Sequence, residues 1–260
     1  MKDETLVFPV EGTKKKADGT EEEEKTISLI IYSSDNKNWT LSKGMSADGC
    51  SDPSVVEWEG KLMMMTACDD GPRRVYEIDD KGEEWTEALG TLSRVWFNNK
   101  KGKGEKAVRS GFTTAKIENR DVMLVALPAY SEKLEKGGAQ KGELHLWLTD
   151  NTHIVDIGPV SGEGDDAAAS SLLYKSAESG DNKKEELIAL YEKKKGAEGK
   201  PSPGVASVLL SEQLERVKKV LTTWKEADER VSQLCATLLA QKGRSTDNAC
   251  DAVKITDGLV

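Results

Sequence analysis

The sequence predicts an all-β molecule closed by one α-helix, and three observations carry that expectation. Ten apolar runs of five to eight residues, rich in Val, Ile, Leu, Thr and Tyr, alternate with charged or Gly-rich spacers. Three of those runs lead into Asp-centred turns, the mark of a repeated hairpin unit. One stretch, SEQLERVKKVLTTWKEADERVSQL, instead has its apolar residues every three or four positions, which is helical spacing.

In chain order the expected strands are Thr5–Val10, Thr26–Tyr32, Lys61–Cys68, Arg73–Glu77, Thr113–Ile117, Val122–Leu127, Leu144–Thr149, Ser170–Tyr174, Glu186–Tyr191 and Val205–Leu210. The spacers ADGTEEEEK, NNKKGKGEK, EKLEKGGAQKG, ESGDNKKEE and EKKKGAEGKPSPG read as solvated loops. In the helix, Leu214, Val217, Val220, Leu221, Trp224, Ala227, Val231 and Leu234 form the apolar stripe, and Ser211 is placed to cap it.

The turn sequences IIYSSDNKNWT (30–40), VYEIDDKGEEWT (75–86) and LHLWLTDNTHI (144–154) align with one another. Their anchors are Asp35, Asp80 and Asp150, spaced 45 and 70 residues apart, which suits one four-stranded unit per repeat plus loops. An Asp side chain accepts backbone N–H bonds across a tight turn, and a Gly such as Gly82 supplies the permissive φ. Trp39 and Trp85 close the first two turns and are expected to bury their rings against the hairpin. The spacing fits the blades of a β-propeller.

Composition removes several function classes. A net charge of −9 leaves no excess of Lys and Arg for a nucleic-acid partner. No run of about 18 apolar residues is present to cross a membrane, and MKDETLVFPV lacks the apolar centre of a signal peptide. Four cysteines without a CxxC pair and two histidines give a zinc site little to draw on, so neither metal nor cofactor is expected. Cys235 and Cys250 are candidates for a bridge closing a short loop, whereas Cys50 and Cys68, beside apolar runs, read as buried thiols. His145 and His153 border a strand and read as surface or turn residues, and Asn38-Trp39-Thr40 is an N-glycosylation sequon.

The turns resemble the Asp boxes (Ser-x-Asp-x-Gly-x-x-Trp) of sialidases, though each is degenerate. The first is one residue short and lacks its Gly, the second has Ile78 in place of Ser, and the third lacks Gly and Trp. The phrases GCSDPSVVEWEGKL, RRVYEIDDKGEEWTEALGTLSRVW, LHLWLTDN and SSLLYK, in this order, resemble the trypanosomal sialidase and trans-sialidase surface-glycoprotein family, and the likeness runs through VLTTW to DAVKITDGLV. The resemblance implies part of a six-bladed sialidase propeller over residues 1–210 and an amphipathic linking helix over 211–235. It also implies a linker over 236–260 toward a lectin-like domain, with Met1 at an internal position of the family pattern.

It also implies where catalytic groups belong. Sialidases cleave a glycosidic bond with a Tyr in place of the usual carboxylate nucleophile. In this family a Glu serves as that tyrosine's base, and three Arg clamp the sugar carboxylate through their planar forks. The Glu position falls on Asp52, one methylene shorter, and a clamp Arg position falls on Ala67. Another clamp position falls near Lys141, the nucleophile position on Ala169, and a supporting Glu on Glu192. Such a pattern implies a non-catalytic surface glycoprotein with an adhesive or antigenic role, meeting host-cell or matrix ligands and sialoglycans at most weakly, at the cell surface or secreted. A residual exo-α-sialidase or trans-sialidase is the second reading, and a truncated gene product without a role of its own the third.

Overall fold

The computed structural model describes residues 4–14, 25–69, 73–79, 82–88, 108–130, 141–177, 184–195 and 202–241, with backbone alone at 194–195, 202–203 and 237–241. Its strands form four antiparallel meanders. The first holds β1 (Leu6–Lys14), β2 (Lys25–Ser33) and β3 (Thr40–Leu41). The second holds β4 (Cys50–Trp58), β5 (Lys61–Cys68), β6 (Arg73–Asp79) and β7 (Glu84–Glu87). The third holds β8 (Gly111–Ile117), β9 (Arg120–Tyr130), β10 (Gly142–Thr149) and β11 (Ile154–Pro159), and the fourth β12 (Asp166–Lys175), β13 (Glu186–Lys195) and β14 (Ser202–Leu209). Helix α1 (Ser211–Gln241) follows.

Successive side chains of a strand point to opposite faces, and this alternation stacks the sheets. In β5, Leu62 and Met64 join Ile30 of the first sheet together with Tyr76 and Ile78. Met63 and Met65 face the other way, toward Met123, Val125 and Leu127 of β9. The complementary residues of β9, Val122, Leu124 and Ala126, enter the largest cluster with Leu144, Leu146 and Leu148 of β10 and Leu187, Ala189 and Tyr191 of β13. A central strand must therefore be apolar on both faces, which is why KLMMMTAC and VMLVAL are continuous runs rather than alternating ones. Helix α1 covers this last cluster with Leu214, Val217 and Leu221.

The first strands of neighbouring sheets are stapled at one end. Ser54 Oγ donates to Ser110 O (2.8 Å), Ser170 Oγ to Ala126 O (3.0 Å), and the Gly111 N–H to Ser170 Oγ (2.9 Å). The meander order then puts the starts of β4, β8 and β12 on one rim and the β6–β7 and β10–β11 turns on the opposite rim. The first sheet differs in phase. Its Asp35 turn follows β2, so β1 is the counterpart of β5 and β9, the second strands of their sheets.

Several local expectations change. Strands β3, β4, β7 and β11 lie outside the ten expected runs, and β1 extends to Lys14. Helix α1 continues to Gln241, six residues beyond its expected end, and Ser211 is its first helical residue rather than a flanking cap. Cys50 and Cys68 are not thiols: they are register partners on β4 and β5 joined by a disulfide, with Cα atoms 4.0 Å apart. Cys235 is also disulfide-bonded, while Cys250 lies outside the described residues.

Candidate functional site

Asp52 sits inside β4, two residues from its start. It lies at a bulge between Ser51 and Ser54, where the extra residue turns the local backbone to φ 51°, a left-handed conformation that Asp tolerates better than most residues. The Asp52 N–H donates to Glu11 Oε1 of β1 at 2.7 Å, and Ser51 Oγ donates to Asp52 Oδ2 at 3.3 Å. Burial and the neighbouring Glu11 charge push the Asp52 carboxyl above the usual carboxylate range, against the Ser51 bond and the charges of Arg73 and Arg109.

Ala67 lies across from Ser51 on one side and Arg73 on the other, buried with 2% of its surface exposed. Arg73 begins β6 and is itself 7% exposed. Its Nη2 donates to Val108 O at 2.6 Å. Its Nη1 has no hydrogen-bond partner among the described residues. Burial pulls the guanidinium down to about 10, with Tyr130 and Asp52 holding it up. One strand over from the expected clamp position, the fold thus supplies a cation that the sequence reading missed. The signal was present in the pair Arg73-Arg74 that opens β6. Glu11, Arg109 and Tyr130 were missed because nothing local marks them; only stacking of the sheets brings Glu11 and Arg109 to Asp52 and Tyr130 to Arg73.

The other expected positions share this rim but are dispersed along it. Lys141 precedes β10, exposed, and lines a cleft of about 340 Å³ with Tyr130, Glu143, Gly162 and Asp165. Ala169 falls in β12 within a bulge between Ala167 and Ser170. Glu192 is exposed on β13, opposite Val205 of β14. Between them, Tyr191 Oη donates to Asp165 Oδ2 (2.8 Å) and Lys193 Nζ pairs with the same oxygen at 3.1 Å. Burial raises the Asp165 carboxyl, but those two partners outweigh it and hold the group below the usual range.

On the far rim the Asp turns do the work their sequence implies. Asp35 Oδ1 accepts from the N–H groups of Lys37 (2.9 Å) and Asn38 (2.7 Å), and Asp150 Oδ1 from those of Thr152 (3.0 Å) and His153 (2.6 Å). The Asn38 and Lys37 N–H groups hold the Asp35 carboxyl well below its ordinary range. Asp80 lies outside the described residues, but Gly82 has φ 94°, and a Cβ there would meet Ser42 Cβ at 2.7 Å. Trp85 Nε1 donates to Gly82 O (3.2 Å) and its ring tilts against Tyr76. Trp39 does not bury its ring as expected: it is 45% exposed and rests on Phe8. The sequon residue Asn38 donates through Nδ2 to Asp35 Oδ2 (2.7 Å). His145 lies within β10, bonded to Asp156 (2.8 Å), rather than beside a strand. Among the described residues no His, Cys, Asp and Glu group has the arrangement to hold a metal ion.

Residues 1–192 match the family described as BNR repeat-like domain. Sialidase 85-1.1 of Trypanosoma cruzi is 36% identical over 242 residues, which is 90% of this chain and 29% of that protein. Another Trypanosoma cruzi sialidase is 41% identical over 171 residues, 65% of this chain and 14% of its own. Trypanosoma rangeli sialidase in complex with sialic acid is similar in structure, at 35% identity and a TM-score of 0.70, over 90% of this chain and 33% of its own. The same enzyme as a covalent intermediate with 2,3-difluorosialic acid gives 33% identity and a TM-score of 0.70 over 90% and 34%. The chain therefore spans about a third or less of the length of each of these relatives. Its stacked three- and four-stranded meanders, its Asp turns, its closing helix and these likenesses place the chain in the trypanosomal sialidase/trans-sialidase family.

Proposed function

We propose that this chain is a non-catalytic member of its family, serving as a cell-surface scaffold that meets host-cell or matrix ligands and presents an antigenic face. The reading is carried by Ala169, which lies in the β12 bulge and which the resemblance of SSLLYK to the family's phrase puts at the nucleophile position. A methyl group has no atom with which to form a covalent glycosyl intermediate. Ala67 at a clamp position and the shortened acid at Asp52 support the same reading, since a displacement of about 1 Å at a reacting centre costs on the order of a hundredfold. The purified chain is expected to leave a fluorogenic sialoside unhydrolysed while binding matrix or host-cell preparations saturably in a solid-phase assay. A folded sample that shows no saturable binding overturns the adhesive role.

A second reading, residual exo-α-sialidase activity, is favoured only by the retained acid of Asp52 with Arg73 and Arg109 nearby. Slow hydrolysis abolished by Asp52→Ala supports it; hydrolysis surviving that substitution removes Asp52 from the chemistry.

A further inference from the structure

The sequence holds one Asn-x-Ser/Thr triplet, Asn38-Trp39-Thr40. It lies where the first Asp turn enters β3, and all three residues are exposed. The turn fixes the Asn38 amide: the backbone N–H donates to Asp35 Oδ1 at 2.7 Å, and Nδ2 donates to Asp35 Oδ2 at 2.7 Å. A side-chain amide nitrogen carries two hydrogens, so one bonds the Asp35 carboxylate and a second remains. Beside the triplet lies apolar surface. Phe8, Ile31 and Leu41 are register partners across β1, β2 and β3, so their side chains share one face of the first sheet. Ile30 points to the opposite face, into the core shared with the second sheet. Phe8 and Leu41 are 50% and 55% exposed, and the half-exposed Trp39 sets its ring 5.4 Å from that of Phe8. The row from β1 to β3 spans about 10 Å, two inter-strand spacings.

We propose that Asn38 is the acceptor of an N-linked glycan whose first sugars lie over Trp39 and Phe8 and cover the apolar end face of the first sheet. In the transfer, Nδ2 forms a bond to C1 of an oligosaccharide carried on a lipid diphosphate. The C1–O bond to the diphosphate breaks, the lipid diphosphate leaves, and one amide hydrogen departs as a proton. The remaining Nδ2–H keeps its bond to Asp35, so the turn survives the modification and holds the first sugar against its own surface. A pyranose ring presents C–H faces as well as hydroxyls, so one sugar covers an aromatic ring while its other side meets water. The attachment is bulky and solubilising, which suits a site beside exposed Phe8, Trp39 and Leu41. It is made on the secretory route, the setting that the Cys50–Cys68 disulfide also fits. Only that route is shared with the adhesive reading, and a heterologous leader supplies it in the test.

The 260-residue chain, secreted from a eukaryotic host behind a cleavable leader, tests both the site and the cover. Peptide mass mapping is expected to find Asn38 occupied in the chain and in Thr40→Ser, which keeps the triplet, and unoccupied in Thr40→Gln, which breaks it. Binding of an apolar dye should be roughly twofold higher for Thr40→Gln, because the glycan leaves only the fourth sheet's apolar face open. Enzymatic removal of the glycan from the folded chain should raise dye binding equally. An unoccupied Asn38 overturns the site. Dye binding that is unchanged by enzymatic removal, or that rises in Thr40→Gln alone, overturns the cover. Neither outcome bears on saturable matrix binding, which the adhesive reading predicts in its own assay.

Discussion

The protonation of Asp52 is set by what surrounds it. Its carboxyl lies above the ordinary range because burial and Glu11 disfavour the charge. The folded chain then holds a proton that the unfolded chain releases, so this group's contribution falls as pH rises from about 4 upward. Asp52→Asn, which keeps the shape and suits the left-handed backbone, is expected to raise the melting temperature at pH 7 more than at pH 4. Equal shifts at both pH values in a thermal melt would show that the carboxyl is not strained by its surroundings. Gly82 makes a different residue-scale prediction. With φ 94° and Ser42 Cβ in the way, Gly82→Ala should cost about 1–3 kcal/mol in urea unfolding, from overpacking on top of the backbone conformation.

At the scale of elements, what the sequence revealed follows from burial. Strands β5 and β9 announce themselves because both faces are covered, so KLMMMTAC and VMLVAL are unbroken. Strands β3 and β7 do not, because they are short and largely exposed at the outer edge. Strand β4 is interrupted by Asp52-Pro53, since a proline cannot donate to the ladder, and a bulge accommodates both. Overlooking β4 also concealed the disulfide, since Cys50 and Cys68 become neighbours only when β4 pairs with β5. The site was legible in part: motif phrases located Asp52, Ala67 and Ala169, but Glu11 and Arg109 reach it only through stacking. The Asp150 turn yields an element-scale prediction. Asp150→Ala strips the acceptor from the Thr152 and His153 N–H groups and from Arg120, and is expected to lower unfolding free energy by about 1–3 kcal/mol. Its stabilisation lies above the ordinary carboxylate range and fades as acid titrates the depressed group, so the variant's deficit should shrink at low pH.

Across the whole molecule, four sheets stack through alternating faces and leave an apolar face at each end. The first sheet shows Leu6, Phe8, Trp39 and Leu41, and the fourth shows Leu173, Leu190, Val205 and Leu209. Contiguous apolar surface of this kind drives association in water. The isolated chain is expected to bind an apolar dye and to self-associate with concentration, and Leu173→Lys with Val205→Lys should reduce both. Light scattering unchanged by that pair would assign the association elsewhere. Among the described residues no helix is long and apolar enough to cross a membrane. The Cys50–Cys68 disulfide accords with an extracellular setting, since such bonds persist where the surroundings oxidise.

That disulfide also has a consequence in time. Its two cysteines belong to one hairpin, β4 and β5, turned at Glu59 and Gly60, so their meeting requires no other sheet. Hairpins form within about 1–10 μs, far faster than distant sheets assemble. Local pairing alone therefore brings the two thiols together, and once an oxidant closes the bond it fixes the register of β4 on β5 without help from any other sheet.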